Sequence, residues 1–315
     1  VEGDVVTISG LDNAVGASTL TLSSVGNSGG DLFSDGSTQG TASYGGGVLR
    51  ATVHTGQSVS ALTEYAFSFE VRNPSSAQAG GGVEINATGS VSVATAAMAA
   101  PYSAALGVGN GSNVMYVVEP VFEVASIGQS TPVAGATNNL TVTLQTNCEL
   151  PSGSTVTISG LTGTQTPDNG NLTVWSSGGA FGGRGGWTGS TGELVLTSEG
   201  TSAGTAYEVI VSVINPAGEQ TSPEVNASGR VESGTHDSVI EGRRMSVPGT
   251  ALAGVRNGSN PLETASARFE TSAIGQSNPL TDASNVITVT IATSVDLVEG
   301  DVVTISGLDN AVGAS

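Results

Sequence analysis

The chain has 315 residues, of which 27 are Asp or Glu and only eight are basic, giving a formal net charge of −19. All eight basic residues are arginines, so the basic footprint that nucleic acid requires is absent and that partner class is excluded. Gly contributes 46 residues, aromatics 4 %, and Ser with Thr nearly a quarter, a composition of turn formers and short apolar runs that points to an all-β protein.

The opening residues 1–18, VEGDVVTISGLDNAVGAS, recur unchanged at 298–315. A fixed long period is the signature of a repeat architecture, here with a unit of 297 residues. That unit is itself double, because VTISGL stands at Val6–Leu11, Val156–Leu161 and Val303–Leu308, in steps of 150 and then 147 residues. Each copy reads as a short strand closed by Gly. Residues 26–47 form a Gly-rich stretch that answers 178–192, and both supply backbone angles open only to glycine. Neither leads into a helix, as a phosphate-cradling loop would. Asp31 and Asp35 in this stretch are the best case for Ca²⁺, which acidic β-sandwich arrays use at module junctions. The counterpart, Gly178-Gly-Ala-Phe-Gly-Gly-Arg184, keeps neither carboxylate, so solvated acidic loops and no metal or other cofactor are expected.

Tyr65–Val71 alternates with period two and ends at Asn73-Pro74, and Tyr207–Ile214 does the same before Asn215-Pro216. Asn86-Ala-Thr-Gly is matched with Asn226-Ala-Ser-Gly. Met98…Pro101 answers Met245…Pro248, and Asn110–Asn113 answers Asn257–Asn260, both at 147 residues. Residues 113–122 are too apolar for a free linker and are expected to form a first strand or dock at a junction. Their counterpart, 260–269, is more polar, so junctions are expected to alternate between stiffer and looser. Phe122–Ser130 recurs as Phe269–Ser277, and Leu140, Val142 and Leu144 keep their phase as Ile287, Val289 and Ile291. The chain therefore reads as all-β, with tandem immunoglobulin-like β-sandwich modules of about 150 residues and eight or nine strands each. Residues 1–113 would be the C-terminal part of one module, 114–260 a complete module, and 261–315 the N-terminal part of the next.

The single cysteine, Cys148, is replaced by Val295 in the other module. A residue that exchanges with Val is best read as a small buried hydrophobe, with an intermolecular disulfide as the alternative. Six N-x-S/T sequons, at Asn86, Asn110, Asn139, Asn171, Asn226 and Asn257, are candidates for N-glycans; this composition gives about four by chance. The only tryptophans, Trp175 and Trp187, flank the Gly loop around Arg184, and the expectation is that Trp175 fills the core while Trp187 caps it. Lateral contact is the other reading of this loop, since Trp and Arg are favoured in interface hot spots. Residues 234–244 are a charged insertion relative to the other module. The candidate assembly contacts are Arg184, Trp187, His236, Asp237, Glu241, Arg243 and Arg244. Catalysis has no support: His54 and His236 lack counterparts, and no H-E-x-x-H, G-x-S-x-G or Walker-type loop occurs.

Taken together, VTISGL, Gly178-Gly-Ala-Phe-Gly-Gly, Gly192-Glu-Leu-Val-Leu, Gly204–Pro216 and Asn226-Ala-Ser-Gly resemble giant repetitive surface proteins of unicellular algae and protists. The resemblance implies a secreted filament or surface fibre, such as a flagellar hair or mastigoneme-like appendage. Its partners would be other copies and neighbouring repeats, without nucleic acid or membrane insertion. An adhesin stalk, spacing a tip outside these residues, is the alternative, and a carbohydrate-binding or hydrolytic sandwich comes third.

Overall fold

The computed structural model describes residues 1–26 and 29–309. It contains strands, turns and two single-turn 3-10 segments, Gly30–Leu32 and Ser177–Gly179, with no α-helix among the described residues. Two compact units divide the chain. One is Val1–Val121 with Asn147–Glu149 and Gly234–His236, and the other holds the remainder.

The first unit contains β1 (Val5–Ser9), β2 (Thr19–Thr21), β3 (Ser23–Ser24), β4 (Phe33–Ser34), β5 (Thr41–Gly45), β6 (Val48–Val53), β7 (Phe67–Ser68), β8 (Glu84–Thr88) and β9 (Val93–Ala97). Seven of these make one sheet in the order β2-β5-β6-β1-β8-β9, with β4 also on β6, while β3 and β7 form a separate pair. Period-two alternation drives Ala42 and Tyr44 from β5, and Leu49, Ala51 and Val53 from β6, into one core. The Tyr44 hydroxyl reaches out of that core to donate to the Ala14 carbonyl at 2.8 Å.

The second unit contains β10 (Phe122–Gln129), β11 (Thr137–Thr146), β12 (Thr155–Ser159), β13 (Asn169–Ser176), β14 (Arg184–Thr188), β15 (Glu193–Thr197), β16 (Tyr207–Ile214), β17 (Asn226–Val231) and β18 (Ser238–Arg244). They form one nine-stranded sheet in the order β10-β11-β16-β13-β14-β15-β12-β17-β18. The sheet curls until its ends meet: Ile127 on β10 donates to the carbonyl of Ser246, two residues past β18, and Ser246 donates to Ala125, both at 2.9 Å. The result is close to a closed barrel. Leu140, Val142, Leu144, Val156, Ile158, Leu194, Leu196, Val209 and Val211 line its interior.

Two further strands, β19 (Phe269–Gln276) and β20 (Ile287–Thr293), form a hairpin that is a sheet by itself. Its register repeats that of β10 and β11 residue for residue at 147. Ile274 faces Val289 as Ile127 faces Val142, and the irregularity at Phe269/Thr271 repeats the one at Phe122/Val124. The core ladder is shared too: Val6 and Ile8 face Ala51 and Leu49, as Val156 and Ile158 face Leu196 and Leu194.

Register corrects three readings of the sequence. Asn226 stands opposite Ser159, whose counterpart Ser9 faces Glu84, so Asn226 and Asn86 are two residues out of step. The similar tetrapeptides slid by one pleat repeat without changing face. The tryptophans exchange roles: Trp187 is 2 % exposed and Trp175 54 %. On β13 it is Val174 and Ser176 that turn inward, which sends Trp175 out. Trp187 faces Leu194 across β14–β15 and donates its indole N–H to the Thr166 carbonyl at 3.2 Å, as a buried polar tip requires. Tyr44 opposite Leu49 takes the same place in the first unit. Finally, in the first unit Gln78 and Val117 exchange backbone hydrogen bonds of 2.9 and 3.0 Å. Gln220 and Thr264 form the same clasp at 3.1 and 2.8 Å, so the two segments expected to differ in stiffness are fastened alike.

Replacing Trp187 with Ala is expected to lower the stability of the second unit by about 3–5 kcal/mol, whereas Trp175→Ala should change it by less than about 0.5 kcal/mol. Urea unfolding followed by far-UV circular dichroism measures both.

Candidate assembly surfaces

The residues singled out for contact lie on separate elements. Arg184 and Trp187 lie on β14, and residues 238–244 of the charged insertion are the edge strand β18 paired to β17. Only 234–237 is loop. Trp187 is removed from the contact set by its burial. Arg184 is exposed and its guanidinium reaches across to the Asn171 carbonyl at 3.3 Å and the Thr173 hydroxyl at 3.0 Å. Asp237 pairs with Arg230 and accepts from the Ser233 amide at 3.4 Å, which turns the chain back into β18. Arg243 donates to the Phe122 carbonyl, while Arg244 meets Glu224 at 3.5 Å with both side chains largely in solvent. Glu241 is exposed where β18 bulges against β17, and His236 is exposed in the loop. These charges decorate an edge strand, a common way of discouraging unwanted strand addition.

The acidic Gly loop of the first unit folds around one of its carboxylates. Asp35 accepts from the Thr38 amide (2.9 Å), the Ser37 hydroxyl (2.9 Å), the Ser37 amide (3.0 Å) and the Thr19 hydroxyl (3.3 Å). These donors, the Thr38 amide foremost, lower its pKa from 3.8 to about 2. Asp31 is exposed and its carbonyl accepts from the Gln39 side chain at 2.9 Å. Among the described residues, no group of three or more His, Cys, Asp or Glu is placed to hold a metal ion. Cys148 is buried at 5 % exposure and its counterpart Val295 at 7 %, and burial raises the thiol pKa.

The sequons divide by exposure. Asn110, Asn139 and Asn171 are exposed, whereas Asn86, Asn226 and Asn257 are half-buried. In the second unit an open groove of about 480 Å³ runs along β10, lined by Ser126, Gly128, Gln129, Thr141, Thr143 and Pro248 among others, with no titratable side chain in its wall. No helix of the described residues is long and apolar enough to cross a membrane.

Two features escaped the sequence reading. One is the Arg268 guanidinium, which bridges Glu219 and Glu270, the latter at 2.9 Å. The other is a buried amide network. Asn138 and Asn215 are fully buried; Asn138 donates to Gln129 and Asn215 at 2.8 Å each, and Asn215 donates to the carbonyls of Thr131 and Val133 at 3.0 and 2.9 Å. The matching Gln276, Asn285 and Asn73 carried the signal, but their role shows only once the strands are paired.

No known family matches the chain, and no curated protein does. Among solved structures, it is similar to one from Corynebacterium diphtheriae titled "Putative membrane anchored protein". The TM-score is 0.22 at 10 % identity, over 80 % of this chain and 84 % of that one. Similarity of that size carries neither fold nor function across.

Asp35 bonds are made by the ionised form, so their stabilisation is present above the unfolded pKa of 3.8 and is lost as pH falls through about 2. Carboxyl-carbon NMR titration should place the Asp35 midpoint near 2; a midpoint at the ordinary 3.8 would contradict the loop geometry.

Proposed function

We propose that the chain is a structural repeat protein and not an enzyme. In this reading it forms the shaft of an extracellular filament or surface fibre, built by self-assembly of alternating immunoglobulin-like sandwich modules. The observation that carries the proposal is the double period. The 147-residue step in the sequence is also a step in strand register, down to the irregularity shared by β10–β11 and β19–β20. Repetition at that fidelity suits a protein that presents the same surfaces again and again along an axis.

The surface chemistry supports it. A net charge of −19 keeps long arrays soluble and apart from anionic surfaces. Exposed Asn110, Asn139 and Asn171 would carry glycans facing solvent on a secreted chain. Specific lateral contact then falls to the features that distinguish the modules, such as exposed Trp175 and Arg184 on neighbouring strands of the second unit. A glycan or polysaccharide ligand would call for clustered exposed aromatics, and aromatics make up 4 % of the chain.

Electron microscopy of the purified chain and of native material tests the reading. Ordered filaments with two modules per axial repeat are expected. Flexible single-file beads without inter-chain contacts would overturn it in favour of a stalk that spaces a binding tip.

A further inference from the structure

The two units differ in the neighbours of one strand, and the repeat places the counterparts of β10 and β11 at the other end of the sequence, in β19 and β20. In the second unit β16 lies between β13 and β11, and Val209, Val211 and Val213 are 0, 1 and 1 % exposed. In the first unit the matching segment, Tyr65–Arg72, keeps only the β13-like neighbour: β7 pairs with β3 and with no other strand among the described residues. Phe67, Phe69 and Val71 accordingly pack against the core but stay half-buried. An open strand edge and an uncovered strip of core coincide.

The hairpin β19–β20 has the opposite deficiency. Ile287, Val289 and Ile291 are 41, 41 and 46 % exposed, where the equivalent Leu140, Val142 and Leu144 are 0, 1 and 2 %. Its polar end is already set. The Asn285 carboxamide oxygen accepts from the amides of Ser277 and Asn278 at 3.1 and 3.0 Å, and its nitrogen donates to Gln276 at 3.0 Å. Asn138 makes the same bonds to Ser130, Thr131 and Gln129, and makes one more, to Asn215. The counterpart of Asn215 is Asn73, which is exposed at the end of the open edge in the first unit.

We infer that the β19–β20 hairpin of one copy adds to the Tyr65–Arg72 edge of a second copy and completes its first unit. The inference deepens the self-assembly reading and rests on it for the choice of partner. The register follows from the β11–β16 ladder, where Val142 faces Val209 and Thr143 faces Glu208. Transferred through the repeat, Val289 faces Phe67, Ile287 faces Phe69, Thr290 faces Ala66, and Asn285 comes within reach of Asn73. The apolar row of the hairpin then covers the half-buried phenylalanines, and the open edge gains its missing ladder. The acceptor's β1 position is filled by its own Val5–Ser9, so residues 298–309 of the donor stay outside that sheet. In a chain that continues the period, consecutive repeats make the same pairing.

The test is cross-linking in trans between chains of residues 1–315 in a Cys148→Val background, which copies the Val295 found at the equivalent position. One chain carries Ala66→Cys, an exposed position, and the other Thr290→Cys. After mixing and mild oxidation, mass spectrometry should find the 66–290 disulfide at least ten-fold above the link from Ala66→Cys to the out-of-register Thr288→Cys. Val289→Asp with Ile291→Asp, in a hairpin already exposed, should abolish the link without unfolding either unit by circular dichroism. Equal yields from the two registers, or a link that survives the Asp substitutions, would overturn the inference. Filaments that assemble without the in-register link would also overturn it while sparing the filament reading. The link formed in short oligomers that never become filaments would support the inference and count against that reading.

Discussion

The second unit depends on closure through β10. This strand hydrogen-bonds β11 along one edge and Ser246 and Ser259 along the other. Its last residue, Gln129, fastens the closure. The Gln129 side chain donates to the carbonyls of Gly258 and Glu263, accepts from the Leu262 amide, and accepts from Asn138. Buried amides are costly unless every donor and acceptor is met, and here they are met by three separate segments that must arrive together. The network therefore specifies where the sheet ends meet, while the aliphatic rows supply the driving force. Among the described residues no strand of the first unit stands in the position of β10, and its Phe67, Phe69 and Val71 are only half-buried.

With so few aromatics, each core leans on short aliphatic rows and on one large side chain with a polar tip, Trp187 in one unit and Tyr44 in the other. Glycine makes room beside the indole and beside Leu194, which it faces. Gly185 sits where an added Cβ would be 2.9 Å from Leu194, and Gly189 where it would be 3.1 Å from the Trp187 nitrogen. Gly192, at φ +66°, brings the β14–β15 turn against the Leu161 backbone, where a Cβ would stand 2.4 Å away. Part of the high glycine content is thus a packing requirement of a sheet curled tightly enough to close.

Strands and period were legible because alternation and offset are properties of the sequence alone. Leu140, Val142 and Leu144 announced which face of β11 is buried, and the ladder agrees. The phase of β13 was not legible, since Val174-Trp175-Ser176 offers a large apolar residue between two smaller ones, and only pairing with β14 and β16 decides which face meets the core. Residues 238–244 stand out in the sequence as part of a densely charged insertion, and charge by itself does not announce a strand. On an edge strand the same charges are compatible with a ladder on one side and water on the other. The amide network was invisible for a different reason: Gln129, Asn138 and Asn215 are distant in sequence, and none is unusual by itself.

The clearest lesson about local sequence comes from residues that occur twice. Val6–Leu11 and Val303–Leu308 are the same hexapeptide. The first contributes to β1, lying between β6 and β8, with Ile8 and Leu11 8 and 4 % exposed. The second is irregular, with Ile305 and Leu308 about half exposed and no ladder partner among the described residues. Identical propensity yields opposite outcomes, so propensity is not what makes this segment a strand. Two flanking strands and a core to face supply the free energy that the hexapeptide lacks alone. A repeat built from such segments holds its shape only through its neighbours, and the exposed hairpin and the half-covered edge are the two sides of that dependence.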